Sequence, residues 1–572
     1  MNLNSQYEFY PAQPENPTDE ERYSLLKYAL TEQGWPEDMT AILQRMAPPP
    51  PITGLAPPGS FKGVRVGVLG GGLAGLAAAY ELRKMGFDIT VFDALTDRVG
   101  GRVYTYRFGG DPGLIGEFGP MRIPVSHETV WHYLRRFELK TYPFIQVNPF
   151  GFAYLKETRV RNDRNGENVR AHIYPKYDLK PRERAASWRE LLFQGLDSHL
   201  LRATMRERIE ILEVKERYAA QTLEWINRSS IAMMQNAGLS QGAINLVSNF
   251  SPLLEGNLYS SFIDFIQENY PADTSYLYAV EGGTSRLPEA FYKTFFDPNP
   301  YPELPDGAPG RVLYRPGCLI RGIYSSGGGG SVTLRYQRLD TRETAAEPFD
   351  YVVCAIPFST LRNVELAPLF SSLKMRAVRE VNYTPSQKTL LLCSSRFWEA
   401  QGIVGGPSLT DLPIGSVWYP SDHTRLLRDS ADLPGSIGRV PTGEPGVIIG
   451  AFNFNLDTTR LLNLPDDILL DEIKRELAAV HGLPIQELDR VIADAKYVNW
   501  NQEPTFRGAI SFFMPEQKRL FAYASAQPEF GGRVFFAGEH ISAVHRWMQG
   551  ALQTGMQAAG DLTRAAAGAA GR

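Results

Sequence analysis

The spacing of apolar positions changes several times along the chain, and each change marks an element. Residues 19–30 (DEERYSLLKYAL) carry apolar positions at helical spacing behind an acidic first turn, which predicts a helix. Pro48 to Pro51, Gly54, Pro57, Pro58 and Gly59 then write a stiff linker. VRVGVLG, ending at Gly70, reads as a buried strand. LAGLAAAYELRKMG, ending at Gly86, reads as a helix closed by glycine, and DITVFD, ending at Asp93, as the next strand. Strand, helix and strand in that order predict a crossover on a parallel sheet.

Residues 180 to 270 are predicted to be mostly helical. WRELLFQGLDSHLLRATMRERIEILEVKERYAAQTLEWI has apolar residues three and four apart, dense charge and no proline. SVTLRYQ, FDYVVCAIP, KTLLLCS and GVIIGAFNF turn strand-like, with Gly327 to Gly330 as a hairpin tip. A last strand, RVFFAGE, leads into a helix near Trp547, and the tail AAAGAAGR is expected to fray. Strands near both ends predict a sheet assembled from distant parts of the chain, with the remaining segments inserted as lobes. A length of 572 residues requires two or three such lobes.

Composition narrows the function. A net charge of -4 gives no basic face for nucleic acid. No run of 18 apolar residues is present, so a membrane span is not expected. The polar, acidic N-terminus lacks the pattern of a secretory signal, which predicts a cytoplasmic location; a processed secreted form would look the same. Cys318, Cys354 and Cys393 are too few and too scattered for a disulfide framework, and none has a histidine at metal-ligand spacing, so no metal is expected. A homodimer or higher homo-oligomer is expected from the general frequency of such assemblies.

The first crossover carries the chemistry. Gly70-Gly71-Gly72-Leu73-Ala74-Gly75 fits GxGxxG between strand and helix. Gly70 permits the tight turn, Gly72 leaves room for a pyrophosphate, and Gly75 lets the helix press on the strand. The helix start at Leu73 and Ala74 offers free N–H groups and partial positive charge to phosphates. Asp93, followed by Ala94, ends the second strand where an acid takes ribose hydroxyls. A glycine-rich turn with a solvated acid would carry the same letters, but the register of strand, helix and acid favours a dinucleotide.

Asp97-Arg98-Val99-Gly100-Gly101-Arg102-Val103 resembles the RxGGR element of the flavin amine oxidases, and Gly116-Glu117-Phe118-Gly119-Pro120-Met121-Arg122-Ile123-Pro124 resembles the GPMRxP segment of the L-amino acid oxidases. Further matches run in order: Glu281-Gly282-Gly283 with Leu287-Pro288, Lys388 in SQKTLLLCSSRFWE, Gly405-Gly406 with Thr410 to Pro413, and Phe536 to Glu539 with His545 and Trp547. The resemblance covers residues 61 to 562 and leaves the first 60 without a usable motif.

That resemblance implies an α/β fold: an FAD-binding Rossmann-like domain of the GR2, amine-oxidase type, a mixed α+β substrate domain and a helical insertion. The expected partition is 1–60 for an arm and linker, 61–104, 277–375 and 528–565 for the FAD domain, 105–165 and 376–527 for the substrate domain, and 166–276 for the helical domain. It implies non-covalent FAD, because no cysteine follows Cys393. The implied partners are an amino acid and molecular oxygen. The implied reaction passes a hydride from Cα to flavin N5; the imine hydrolyses to a 2-oxo acid and ammonia, and oxygen yields hydrogen peroxide.

Site residues carry over one by one. Arg122 would clamp the substrate carboxylate; the alternative is a structural arginine paired with Glu117. Lys388 would sit near flavin N5. Gly119, Pro120, Met121 and Arg122 would face the flavin, Arg102 the pyrophosphate, and Leu319 the nucleotide. Glu539 would meet the ribityl or ribose hydroxyls. Met548, Gln549, Gly550 and Ala551 would open a helix whose N–H groups hold the N1–C2=O edge. Trp500 would pack near the flavin, and Trp547 would wall the substrate with Arg546, Phe452 and Trp418.

Two departures stand out. The family's carboxylate-binding tyrosine is matched by Phe452, with Tyr419 the nearest substitute, and the glycine before the active-site tryptophan is Arg546. Trp418, Phe452, Trp500, Phe512 and Trp547 suggest a large apolar or aromatic substrate side chain, whereas the acids in Phe262 to Glu268 suggest lysine or arginine. Oxidation of simple amines or polyamines, and amide-forming monooxygenation, are the rival activities.

Overall fold

The computed structural model describes residues 13–163, 165–327, 330–424 and 441–570. Its central sheet is parallel and has the strand order Val312–Arg315, Asp88–Phe92, Arg65–Leu69, Tyr351–Cys354, Val534–Phe536. All of Tyr351–Cys354 and the last four residues of Arg65–Leu69 are buried, as expected for strands covered on both faces. The sheet therefore joins strands from both ends of the chain.

The helix Leu73–Lys84 crosses this sheet at very short range. A Cβ added at Gly75 would stand 2.0 Å from the Gly70 carbonyl oxygen. The C-terminal helix Met548–Ala570 packs on the same helix through Gly555, whose Cβ would stand 2.3 Å from the Ala74 carbonyl oxygen. Gly75 thus lets the first helix close on its strand, and Gly555 lets the C-terminal helix approach the backbone of the first. Their N-terminal ends consequently open on one space. The C-terminal helix runs to Ala570, so most of the expected fray is helix.

A second sheet has seven strands in the order Ile492–Asn499, Ser386–Cys393, Gly446–Phe454, Ser416–Tyr419, Gly406–Thr410, Phe152–Leu155, Thr158–Arg161. Lys388 sits in its interior, opposite Phe452 on one side and Val498 on the other. The predicted hairpin pairs Cys318–Ser325 with Val332–Arg338; Gly328 and Gly329, at its expected tip, lie outside the described residues.

The long helical stretch breaks into short helices at Trp188–Gly195, Ser198–Leu201, Met205–Ile209 and Ala220–Asn227. The cause is local. Ser187 with Glu190, and Thr204 with Glu207, each form a capping box that starts a new helix. The N-terminal segment is knitted into the body: Arg22 pairs with Glu128, Trp35 donates to the Tyr270 carbonyl, and Asp38 pairs with Arg208. Among the described residues no helix is long and apolar enough to cross a membrane.

Gly555→Val should force the two helices apart and cost about 1–3 kcal/mol, the usual cost of overpacking. Thermal denaturation followed by circular dichroism measures it, and an unchanged midpoint would refute the backbone contact.

Candidate active site

One cavity of about 220 Å³ runs between the two helix N-termini and the second sheet. At one end it is lined by Gly72, Leu73, Ala74, Gly100 and Arg102. Gly72 is the N-cap of its helix and no side chain caps the first turn. A Cβ there would meet nothing within 4 Å, so the backbone lies open to the cavity. Free N–H groups at a helix start are the physical basis of phosphate binding.

Asp93 stands just behind this turn. Its Oδ2 accepts from the Tyr314 hydroxyl at 2.8 Å, its Oδ1 accepts from the Leu95 N–H, and burial pushes its carboxyl up. Asp93 and Ala94 are not part of the cavity wall. The Cys318 N–H donates to the Asp93 carbonyl, which brings neighbouring Leu319 to the same strand end.

Midway, Arg102 donates to Glu539 Oε1 at 3.0 Å and to the Ala509 carbonyl at 2.7 Å. Glu539 Oε2 accepts from the Ser511 hydroxyl and the Arg546 N–H. Burial opposes ionisation of Glu539, but Arg102 and these donors outweigh it and hold the carboxyl at about 2. Next to it, His540 lines the cavity with neither ring nitrogen hydrogen-bonded. Burial drives its pKa down to about 3, so the ring is neutral. Sequence reasoning passed over His540, and its only signal was its place after Glu539. His545 instead faces Asp264 at 2.7 Å; the two histidines form no metal pair, and no metal-binding cluster exists among the described residues.

The far end is lined by Gly119, Pro120, Met121, Arg122, Lys388, Phe452, Trp500, Trp547, Met548 and Ala551. Lys388 Nζ donates to the carbonyls of Gly119 at 2.6 Å and Glu117 at 3.1 Å, and lies 4.4 Å from the Phe452 ring centre. Burial lowers its pKa to about 7, against the opposing pull of Glu117. Trp500 Nε1 donates to the Phe118 carbonyl.

Arg122 is not paired with Glu117, whose carboxylate is taken by Thr105 and Thr284. Its Nη1 donates to Gln146 at 2.7 Å, and its guanidinium lies 5.2 Å from the Trp418 ring and 6.0 Å from the Trp547 ring. Burial lowers its pKa to about 10, which leaves it charged at neutral pH. Among the described residues no carboxylate lies within ion-pair range of it.

Several expected lining residues are placed elsewhere. Trp418 backs Arg122 from outside the wall, because its Nε1 is drawn to the Ser416 hydroxyl. Tyr419 cannot serve Arg122: its hydroxyl is buried against Ser408 and His481. Ile510, not Phe512, reaches the cavity. The Gln549 side chain turns away to Thr129 and Met46, and a Cβ at Gly550 would meet Ser542, so neither contributes to the wall.

An extended dinucleotide carrying a flavin fits these residues. The uncapped helix start at Gly72 suits its phosphates, the orphaned nitrogens of His540 await a hydroxyl or phosphate, and the second helix start at Met548 adds a further positive end.

Known proteins point the same way. The family model described as flavin containing amine oxidoreductase matches residues 73–563. The chain is similar to the L-amino-acid oxidase of Vipera ammodytes ammodytes, 29% identical over 87% of this chain and 92% of that protein. It is similar to the putative L-amino-acid oxidase YobN of Bacillus subtilis, 29% identical over 87% of this chain and 94% of that protein. Among solved structures it resembles putrescine oxidase bound to putrescine, with a TM-score of 0.64 and 16% identity over 89% of this chain and 99% of that one, which bears on fold alone. A match across most of the chain, on a cavity built for a dinucleotide, makes this protein a member of the flavin-containing amine oxidoreductases, an FAD-dependent enzyme of amine oxidation.

Proposed function

We propose that this enzyme oxidises L-amino acids to 2-oxo acids, ammonia and hydrogen peroxide. One observation carries the reading: Arg122 is a charged guanidinium on the cavity wall with no carboxylate within ion-pair distance among the described residues, Glu268 acting on it only from further off. A half-buried cation with no carboxylate within reach gains by finding one. A substrate carboxylate would pair with it through two charge-assisted hydrogen bonds and fix the amino acid's orientation. A simple amine would leave that cation unmatched. The names of the curated relatives supply the same substrate class and its hand.

A flavin held by these residues would supply the redox chemistry, with a hydride taken from the substrate and oxygen as the final acceptor. The residues of the chain supply position and protons. The Glu117 and Gly119 carbonyls hold the Lys388 ammonium beside the cavity. Lys388, neutral above about pH 7, can accept a proton and hand it on within the cavity. Trp547 is fixed as a wall by its hydrogen bond to Glu268 and its edge contact with His127. Trp500 lines the same cavity, its indole held by the Phe118 carbonyl.

Arg122→Met should cut kcat/KM for L-leucine by about 100-fold or more, the loss of two charge-assisted bonds. Turnover of 3-methylbutylamine, the same molecule without its carboxylate, should not fall with it. A peroxide-coupled assay on both substrates checks this, and an equal loss on both would remove the carboxylate clamp.

A neutral Lys388 implies that kcat/KM rises with pH through a limb near 7, because protonation below that value removes the acceptor. Lys388→Met should lower the rate by about 100-fold and abolish the limb. A pH profile of the variant that keeps the limb would assign it to another group.

A further inference from the structure

The substrate's side chain is the part that the carboxylate clamp leaves open. The cavity wall contains a second charged group, Glu268, on the helix Phe262–Asn269. It is nearly sealed, at 8% exposure. Its Oε1 accepts from Arg546 Nε at 2.9 Å and from Trp547 Nε1 at 3.1 Å. Its Oε2 accepts no hydrogen bond from any described residue.

Arg546 owes its position to the same acids. It sits in the left-handed region at φ 74°, which for a side chain other than glycine costs roughly 1–2 kcal/mol. Its Nε on Glu268, its Nη2 on the Asp264 carbonyl at 2.8 Å and its Nη1 at 3.8 Å from Asp264 Oδ2 hold it there. Nε and Nη2 of the guanidinium are therefore taken by protein acceptors, and its charge is matched by Glu268 and Asp264. Asp264 lies one helical turn before Glu268, and buried Asp273 adds a further acid nearby, held by His127.

Three kinds of side chain meet this wall differently. An acidic one would face Glu268 with Arg546 already taken. A purely apolar one would strip water from Oε2 and return nothing, which is unfavourable for a carboxylate oxygen. A cationic one would give Oε2 its missing charged donor, while its methylenes cover Phe452, Phe454 and Trp547.

We propose that Glu268 is the specificity residue for a cationic side chain, and that the enzyme's preferred substrates are L-arginine and L-lysine. This rests on the reading of Arg122 as the carboxylate clamp: that guanidinium and the Glu268 carboxylate are the two opposite charges with open polar atoms on one cavity wall. The guanidinium or ammonium end of the substrate donates to Oε2. Arg546 and Trp547 keep the carboxylate oriented from its other oxygen.

Steady-state peroxide assays on the holoenzyme test it with matched pairs: L-arginine against L-citrulline, and L-lysine against L-norleucine. The intact enzyme should favour the charged member of each pair by at least about 10-fold, the value of one charge-assisted bond over a neutral one. Glu268→Gln, with its flavin content verified by absorbance, should bring both ratios close to one, and Glu268→Asp should retain part of them. An intact enzyme that takes citrulline and norleucine as readily as arginine and lysine overturns the proposal while leaving Arg122 its role. Equal losses on all four substrates in Glu268→Gln also overturn it, because they would assign Glu268 to the common α-amine or to the support of Trp547. Failure of the clamp itself looks different: no L-amino acid would be oxidised, while a plain amine would still bleach the flavin.

Discussion

Two helices touching without side chains between them organise this molecule. Gly75 brings the first helix onto its strand, and Gly555 brings the C-terminal helix onto the first. A methyl group at either place would collide with a backbone carbonyl. The result is that Leu73 and Met548, near opposite ends of the chain but each opening a helix, face one cavity. Aligned peptide dipoles make both openings electropositive. A ligand rich in negative charge and long enough to pass from one to the other gains from both.

The second sheet carries charge into a place with little water. Lys388 lies in the interior of an eight-residue strand with neighbours on both edges, and its side chain is almost entirely withdrawn from solvent. Two backbone carbonyls and one aromatic face replace its hydration, and the replacement is incomplete, which lowers its pKa to about 7. Arg122 experiences the same desolvation but keeps its charge, since a guanidinium starts far higher. One cation that can give up its proton and one that cannot stand in the same wall.

Arg546 shows how a costly backbone conformation persists. Its left-handed geometry suits glycine, yet a bulky cation occupies it. Two acids on the Phe262–Asn269 helix hold the side chain, so a helical segment far away in the chain stabilises the turn just before Trp547. The same carboxylate orients Trp547. Backbone strain, aromatic wall and charge balance thus meet at Glu268.

The strand, helix and strand of the first crossover were legible, because apolar period and glycine spacing are local and lie within one short stretch from Arg65 to Asp93. So were the buried strands and Lys388, an ammonium inside an apolar run. The helical region was legible as helix but not as separate helices, although Ser187 with Glu190 and Thr204 with Glu207 had already written the breaks. Pairings across the chain were not legible. That Arg122 faces Gln146 rather than Glu117, that Tyr419 turns to His481, that His540 lies on the cavity wall and that Glu268 props Arg546 are outcomes of packing between separate segments. Period and spacing report which face of an element is apolar, since that depends on neighbours in sequence. Which partner a buried polar atom finds depends on neighbours in space, and only the folded chain decides it.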